Sequence, residues 1–272
     1  MAIEKIIAND LKRLSRIGDR KYQQRYGEYL IEGVRLVEEA FRAGADVLEL
    51  AVTSCAERRG RVKRLIESAT KKGLPIRRVN NREMARICRT ENNQGIAAGV
   101  SLPSKSKGEI YGELLQIKSG LIVFLDGIQD PGNVGTIIRT SEAFGVEGVI
   151  LGAGSAGLFN PKTLRSAMGA VFRVDVVEIH DESPVEIING FSKNGFQIVA
   201  TCVGGGYVSF READFSEKIV LIIGSESAGV SEKLIEKADL RIEIPMPGPT
   251  ESLNAAVAGS ILIHFIKSEM GY

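Results

Sequence analysis

The sequence predicts an α/β protein of two domains, a small basic one followed by a larger one built on a mostly parallel sheet. Short apolar runs alternate with stretches of helical spacing along almost the whole chain, the β-α pattern of such sheets. A polar run rich in Pro, Ser, Lys and Gly, SLPSKSKGEIYGE at residues 101–113, interrupts the alternation. Charge divides at the same place. Residues 1–107 carry 23 Lys+Arg against 13 Asp+Glu and residues 108–272 carry 12 against 21, so halves of +10 and −9 lie behind a net charge of +1. A chain of 272 residues, 44% hydrophobic, can bury one large core or two modest ones. The expected division is a first domain over 1–106, a linker over 107–117 and a second domain over 118–272.

In the first domain, residues 3–25 read as a basic helical stretch with an apolar stripe of Ile6, Ile7, Leu11, Leu14 and Ile17. Lys12, Arg13, Arg16, Arg20, Lys21 and Arg25 lie off that stripe, available to phosphates. Tyr29–Glu32 is extended, Val34–Ala43 helical and stopped by Gly44, Val47–Thr53 a strand and Glu57–Thr70 a helix. After Gly73 and Pro75 come a strand to Val79, a short helix Asn81–Arg89 capped by Asn80 or Asn81, and a closing strand Gly95–Leu102.

The second domain opens on LIVFL, residues 121–125, an unbroken apolar run of the kind buried on both faces of a parallel sheet. The loop DGIQDPGN leads to a helix over Val134–Phe144, with Asn133 as its expected cap and Gly145 as its stop. A strand, a polar loop and a helix in that order make a ligand site in such sheets. Strands follow at Gly148–Leu151, Gln197–Val203 and Lys218–Ile223, an extended piece at Phe172–Val177, and helices at Asn160–Met168, 184–194 and Val230–Ala238. Last, RIEIPMPGPTESLNAAVAGSILIHF from Arg241 reads as a strand, a loop stiffened by Pro245, Pro247 and Pro249, and a helix from Ser252 capped by Ser252 or Thr250. Such a helix start offers amides to a polar or anionic ligand. The small residues from Ala255 to Ser260 equally suit close packing against a neighbour.

Several function classes lose support. LGAGSAG at 151–157 has dinucleotide-fingerprint spacing at Gly152, Gly154 and Gly157, with Asp175 where a ribose-binding acid would lie. That fingerprint needs a helix to begin inside the motif, and here it begins only after Asn160, so a nucleotide-dependent oxidoreductase stands only as an alternative. Cys55, Cys88 and Cys202 are odd in number and widely spaced, and His180 and His264 stand apart from any cluster. Neither a disulfide framework, a metal site nor a histidine triad is expected. The opening MAIEKIIAND carries charge where a signal peptide needs an apolar core, and no apolar run approaches a membrane span, which predicts a cytoplasmic protein. The basic half predicts a polyanionic partner, nucleic acid first, against the alternative that it pairs with the acidic half.

Three blocks stand in order: DGIQDPGNVGTIIRTSEAFG from Asp126, IIGSESAGVS from Ile222 and IEIPMPGPTESLNAAVA from Ile242. With NPKTLRSAMGAVFRV from Asn160, they resemble the SpoU, or TrmH-like, RNA 2′-O-ribose methyltransferases over essentially the whole second domain. YLIEGVRLVEEAFRAGADVLELAVT from Tyr29 is more loosely similar to the substrate-binding domain of that family, which is like ribosomal protein L30e. The resemblance implies the SPOUT fold, a parallel α/β domain whose C-terminal segment threads a loop into a trefoil knot. It also implies S-adenosyl-L-methionine bound there in a bent shape, no metal, and a homodimer formed through the knotted domains. General rules of chain connectivity would have rejected a knot.

Carried onto matching positions, the resemblance places the cofactor against Thr201, Gly224, Ile244, Met246, Ser252, Leu253 and Asn254. It gives catalytic or substrate-positioning roles to Asn133, Arg139, Glu226, Ser252 and Asn254. Arg13, Arg16, Lys21 and Arg25 of the basic stretch, with Arg165 of LRSAMG, are the expected RNA contacts. Each position has a plainer alternative: Asn133, Ser252 and Asn254 as caps, Arg139 and Arg165 as surface charges, Glu226 as an acid near a helix start, Gly224 as a turn. Methylating a ribose hydroxyl requires placing it in line with a sulfonium methyl, removing its proton and stabilising the developing charge. Arg139 is the family's candidate for the deprotonation, but guanidinium is effectively always charged, which favours electrostatic stabilisation instead. The sequence departs from the family pattern at Ser227, where glycine is common, and at Ala256, where serine is. The expected substrate is rRNA, 23S rRNA first, with tRNA methylation or a non-catalytic RNA-binding or ribosome-assembly role as alternatives.

Overall fold

The computed structural model describes residues 3–90, 93–179, 182–204, 206–250 and 252–271; His180, noted above as an isolated histidine, lies outside them. In chain order the elements are β1 (Glu4–Lys5), α1 (Ala8–Leu14), α2 (Arg20–Tyr26), β2 (Glu28–Glu32), α3 (Val34–Arg42), β3 (Val47–Thr53), α4 (Ser54–Glu57), α5 (Gly60–Lys71), β4 (Ile76–Val79), α6 (Asn81–Ile87) and β5 (Ile96–Ser101). They continue with α7 (Lys107–Leu115), β6 (Gly120–Asp126), α8 (Pro131–Ala143), β7 (Gly148–Leu151), α9 (Pro161–Ala167), β8 (Asp175–Glu178), α10 (Pro184–Lys193), β9 (Gln197–Thr201), β10 (Val208–Ser209), β11 (Lys218–Gly224), α11 (Glu232–Ile235), β12 (Leu240–Glu243) and α12 (Ala255–Glu269). Contacts divide the chain into two compact units, Met1–Ser104 with Phe159–Phe172, and Lys105–Leu158 with Arg173–Tyr272. Among the described residues no helix is long and apolar enough to cross a membrane.

The first unit holds a five-stranded sheet in the order β1-β4-β3-β5-β2, with β5 antiparallel to both neighbours. Strand alternation gives it two cores. Tyr29, Ile31, Leu50, Val52, Ile96 and Ala98 pack with α3 and α5, while Leu30, Ala51 and Ala97 pack with α1 and α6. Leu164 of α9 belongs to the first of these cores, and Phe159, Val171 and Phe172 pack against it. The segment between β7 and β8 in sequence therefore completes the core of the basic unit.

Three expectations are corrected. Residues 3–25 are not one helix, because the Ile6 amide bonds the Arg78 carbonyl and draws the start of the chain onto the sheet edge as β1. Ile7, expected on the apolar stripe, is 58% exposed. Glu57–Thr70 breaks into α4 and α5, since Thr53 caps the first through its hydroxyl and Arg59 is extended before the second. The expected linker over 107–117 contains α7, started by a reciprocal capping box between Ser106 and Glu109, and it buries Ile110 and Leu114. Polar composition hid a two-sided cap.

The second unit carries a seven-stranded, all-parallel sheet in the order β10-β12-β9-β11-β6-β7-β8. Two of its central strands carry unbroken apolar runs, residues 121–125 in β6 and 219–223 in β11, because both faces are covered. On one face Phe124, Ile150, Ile198 and Ile222 pack with Leu114, Ile188, Phe191 and Leu234. On the other side lie α8 and α12, joined by a hydroxyl pair between Thr140 and Ser260 at 2.9 Å. A Cβ at Gly259 would stand 2.8 Å from Ile223 Cδ1, so the small residues of α12 do bring it close to β11. The chain fills β6, β7 and β8 towards one edge and then returns to the other side of β6. Such a reversal opens a crevice beyond the C-terminal strand ends, the usual ligand site of parallel α/β sheets.

At that reversal β11 ends in a tight turn in which Ser225 and Gly229 exchange main-chain hydrogen bonds of 3.2 and 2.9 Å. A Cβ on Gly224 would lie 2.0 Å from the Gly229 carbonyl carbon and 2.1 Å from the Val230 nitrogen, so the turn itself demands glycine. Gly224→Ala is expected to lower stability by about 1–3 kcal/mol through this clash, seen as a lower urea midpoint at unchanged slope. An unchanged midpoint would show that the turn opens freely.

Candidate active site

The site is built at the C-terminal ends of β12, β9, β11 and β6, adjacent parallel strands whose registers pair Ile242 with Thr201 and Gly224 with Asp126. The loops leaving these strands are stitched together. Asp126 Oδ2 accepts from the Ser231 amide at 2.7 Å, tying the loop after β6 to the one after β11. Ser155 bridges the Ile128 amide and the Leu125 carbonyl, both at 3.1 Å. That second stitch explains the dinucleotide-like glycines: a Cβ at Gly152 would stand 2.7 Å from the Leu125 carbonyl oxygen, and no helix begins before Pro161.

Asn133 is not the cap of α8. Asp130 is: its Oδ1 accepts from the amides of Gly132 at 2.6 Å and Asn133 at 3.1 Å, and Pro131 occupies the first helical position. The Asp-Pro pair in the sequence is the signal for this, since proline is pre-set for that position and aspartate for the one before it. Asn133 thus sits in the first turn with its carboxamide free for tertiary contacts. It donates Nδ2 to Glu226 Oε1 and accepts at Oδ1 from Asn254 Nδ2 at 3.1 Å. Asn254 in turn caps α12, its Oδ1 accepting from the amides of Ala256 at 3.0 Å and Val257 at 3.3 Å. The expected caps Ser252 and Thr250 are passed over, and α12 starts at Ala255.

The orientation of this string is fixed from one end. An oxygen must face the helix amides, so the other end of Asn254 is a donor; Asn133 must accept there and therefore donates onward to Glu226. Residues 93 and 121 positions apart in sequence meet in one line, one from each of the three motif blocks. Arg139 is not on it. Six residues beyond Asn133, it lies about 240° round α8, exposed and with no hydrogen bond or ion pair among the described residues.

The loop after β12 can hold an adenosine-bearing cofactor through its main chain. Pro245, Pro247 and Pro249 keep it out of any helix or ladder, and Ile244, Met246 and Leu253 are half-buried along it. Among the described residues, the amides of Ile244, Met246, Gly248, Ser252 and Leu253 donate no hydrogen bond within the protein. Free amides and carbonyls beside apolar side chains suit a purine edge and an aminoacyl group. Cys202, next to Thr201, is not a ready nucleophile, because burial pushes its thiol upward. Among the described residues no group of three His, Cys, Asp or Glu side chains is placed to hold a metal ion. Gly224, expected to make room for a ligand, is required by the chain's own turn as well.

The predicted RNA contacts all lie in the first unit. Arg13 is engaged by Glu28 and Glu49, which corrects its reading as a free phosphate ligand. Arg16 lies 5.0 Å above the Tyr22 ring and Arg25 5.8 Å from that of Tyr26, while Lys21 is exposed. Arg165 stands 4.0 Å from Glu32.

The SpoU rRNA Methylase family matches residues 120–264, and the MRM3-like substrate binding domain matches residues 8–98. The 23S rRNA (guanosine(2553)-2′-O)-methyltransferase RlmP of Bacillus subtilis is 34% identical over 265 residues, 97% of this chain and 98% of its own. The AdoMet-bound rRNA methyltransferase from Sinorhizobium meliloti superposes with a TM-score of 0.81 at 27% identity, covering 99% of this chain and 98% of that one. The SpoU methyltransferase AviRb from Streptomyces viridochromogenes, in complex with AdoMet, does so with a TM-score of 0.81 at 25% identity, covering 97% and 98%. The family match runs from the first residue of β6 into α12, across all three blocks joined at the C-terminal strand ends, and the chain belongs to the SpoU rRNA Methylase family.

Proposed function

We propose that this protein transfers a methyl group from S-adenosyl-L-methionine to a ribose 2′-hydroxyl of rRNA, with 23S rRNA as its substrate. The observation that carries this reading is the string Glu226–Asn133–Asn254 at the crevice of a family-matched sheet. Likeness to RlmP over nearly the full length of both chains supports the choice of 23S rRNA. The basic first domain selects the RNA and the second carries the chemistry, in a cytoplasmic setting.

The cofactor supplies a methyl group already activated on sulfonium, and Thr201, Gly224, Ile244, Met246, Ser252, Leu253 and Asn254 would hold it. The chain's own task is to place the hydroxyl and manage its charge. Asn133 offers a carboxamide whose orientation is fixed before substrate arrives, and exchange of one of its bonds for a ribose hydroxyl sets that hydroxyl in place. Glu226 is the carboxylate in hydrogen-bond contact with Asn133 and the nearest proton acceptor on the string. Arg139, off this string within one chain, would stabilise the developing oxyanion as a permanent cation once a second copy of the chain encloses it.

The C-terminal segment threads its loop as a trefoil knot, and the protein works as a homodimer. Phe144 just after α8 is 37% exposed, and Val257 and Ile261 on α12 are 48% and 37% exposed, an apolar outer face. Arg139 is exposed on the same helix, α8. A second copy seated there would cover these side chains and enclose Arg139.

Labelled methyl transfer to unmodified 23S rRNA, 16S rRNA and tRNA tests the activity, with label expected on 23S rRNA alone. Label on tRNA alone would overturn the substrate, and no label on RNA or ribosomal particles would overturn the activity. Arg139→Lys should keep RNA affinity but lose about 100-fold or more in turnover, as removal of a transition-state donor does; near-native turnover would remove its fork from the mechanism. Asn254→Ala should cost about 1 kcal/mol of stability through the lost cap and a larger fraction of turnover than of cofactor affinity. Equal losses of both would mean that Asn254 serves the fold alone.

A further inference from the structure

Glu32, at the end of β2, is a buried carboxylate, 6% exposed. Its Oε1 accepts from the Arg89 amide and its Oε2 from the Thr90 hydroxyl, both at 2.7 Å. These bonds fix the start of the 89–90 loop but bring no cation, and a buried charge without one is costly. The cation comes from α9. Arg165 Nη1 lies 4.0 Å from Glu32 Oε2, and both residues belong to the first unit. Nη1 is buried and makes no hydrogen bond, whereas the Arg165 side chain as a whole is 40% exposed. The guanidinium is therefore set edge-on, its inner edge drawn to Glu32 and its outer edge open.

Two other arginines of this unit are otherwise engaged. Arg89 pairs with Asp19 at 2.6 Å, and Arg13 is held by Glu28 and Glu49. A planar fork with an open outer edge is the geometry that takes a phosphate in two parallel bonds. A carboxylate behind the fork weakens its pull on an anion, but it also removes rotamer freedom that a free arginine side chain would have to give up on binding. Orientation is then settled before the ligand arrives.

We propose that Glu32 is a positioning residue for RNA binding: it holds the inner edge of Arg165 so that the outer edge takes an RNA phosphate. The inference rests on the rRNA reading above. It makes a residue of the first strand-and-helix motif of the basic domain, Glu32 in YLIEGVRLVEEA, act through one contributed by the family-matched segment 120–264.

The test measures binding of a labelled 23S rRNA transcript across a salt series to full-length wild type, Glu32→Gln, Arg165→Ala, the double variant and Thr90→Val. Thermal unfolding of each variant and methyl transfer by the wild type are recorded alongside. Glu32→Gln and Arg165→Ala should each weaken binding about tenfold and reduce the salt slope by about one counterion. The double variant should bind no more weakly than Arg165→Ala, and Thr90→Val, which loosens the same loop but keeps the pair, should bind as wild type. A Glu32→Gln loss that adds in full to that of Arg165→Ala, a Thr90→Val that reproduces it, or an Arg165→Ala of wild-type affinity would each overturn the proposal. Should Glu32→Gln fail to fold, Glu32→Asp, which retracts the charge by one methylene, must show the same non-additivity. Absence of methyl transfer from the wild type to any RNA would remove the rRNA reading, while the affinities still decide the positioning role.

Discussion

Asn254 holds two helices with one carboxamide, and the candidate site depends on it. Its oxygen closes the free amides at the start of α12, and its nitrogen reaches the first turn of α8. A helix start is the one place where backbone chemistry dictates which end of an asparagine is which. That choice passes through Asn133 to Glu226, so a polar line at a solvent-facing crevice has a single arrangement without a rigid loop to impose it. Among its described residues, the proline-rich loop before Asn254 leaves the amides of Ile244, Met246, Gly248, Ser252 and Leu253 without a partner in the protein.

The parts of the structure legible in the sequence are those set by local physics. β3 and β7 have the expected bounds, because β-branched and apolar runs closed by Gly, Asp or Thr leave little choice. Caps were less legible. Asn133 stands just before an apolar helical pattern and so looks like a cap, yet Asp130 followed by proline competes better, and its success is what frees Asn133 for the site. The same holds at α12, where three candidate oxygens lie within five residues and only the last meets the helix axis. Signals for both sites were present; choosing between them takes the tertiary partners.

Charge was legible in sum and not in detail. The basic first half is real, but several of its arginines are consumed internally: Arg13 by Glu28 and Glu49, Arg77 by Glu4 and Asp10, Arg78 by Glu57. No spacing rule pairs residues that a sheet brings together from 21 or 73 positions apart. Arg165 shows the converse. It lies in the acidic half of the sequence, yet its segment packs in the basic unit, because Leu164 and Phe159 fill a core that the first 104 residues leave open.

Two departures from the family pattern can be weighed in the same terms. Ser227 lies exposed in the turn after β11 and is not among the residues with positive φ, so glycine is not required there by backbone conformation. Ala256 is 4% exposed; its amide is taken by Asn254 and its carbonyl accepts from the Ser260 hydroxyl. A serine at 256 would bring a hydroxyl into a buried position whose own amide and carbonyl are already matched. Neither position supplies a hydrogen bond to the string through its side chain. The line from α12 to Glu226 therefore stands on Asn254, Asn133 and the Asp130 cap alone.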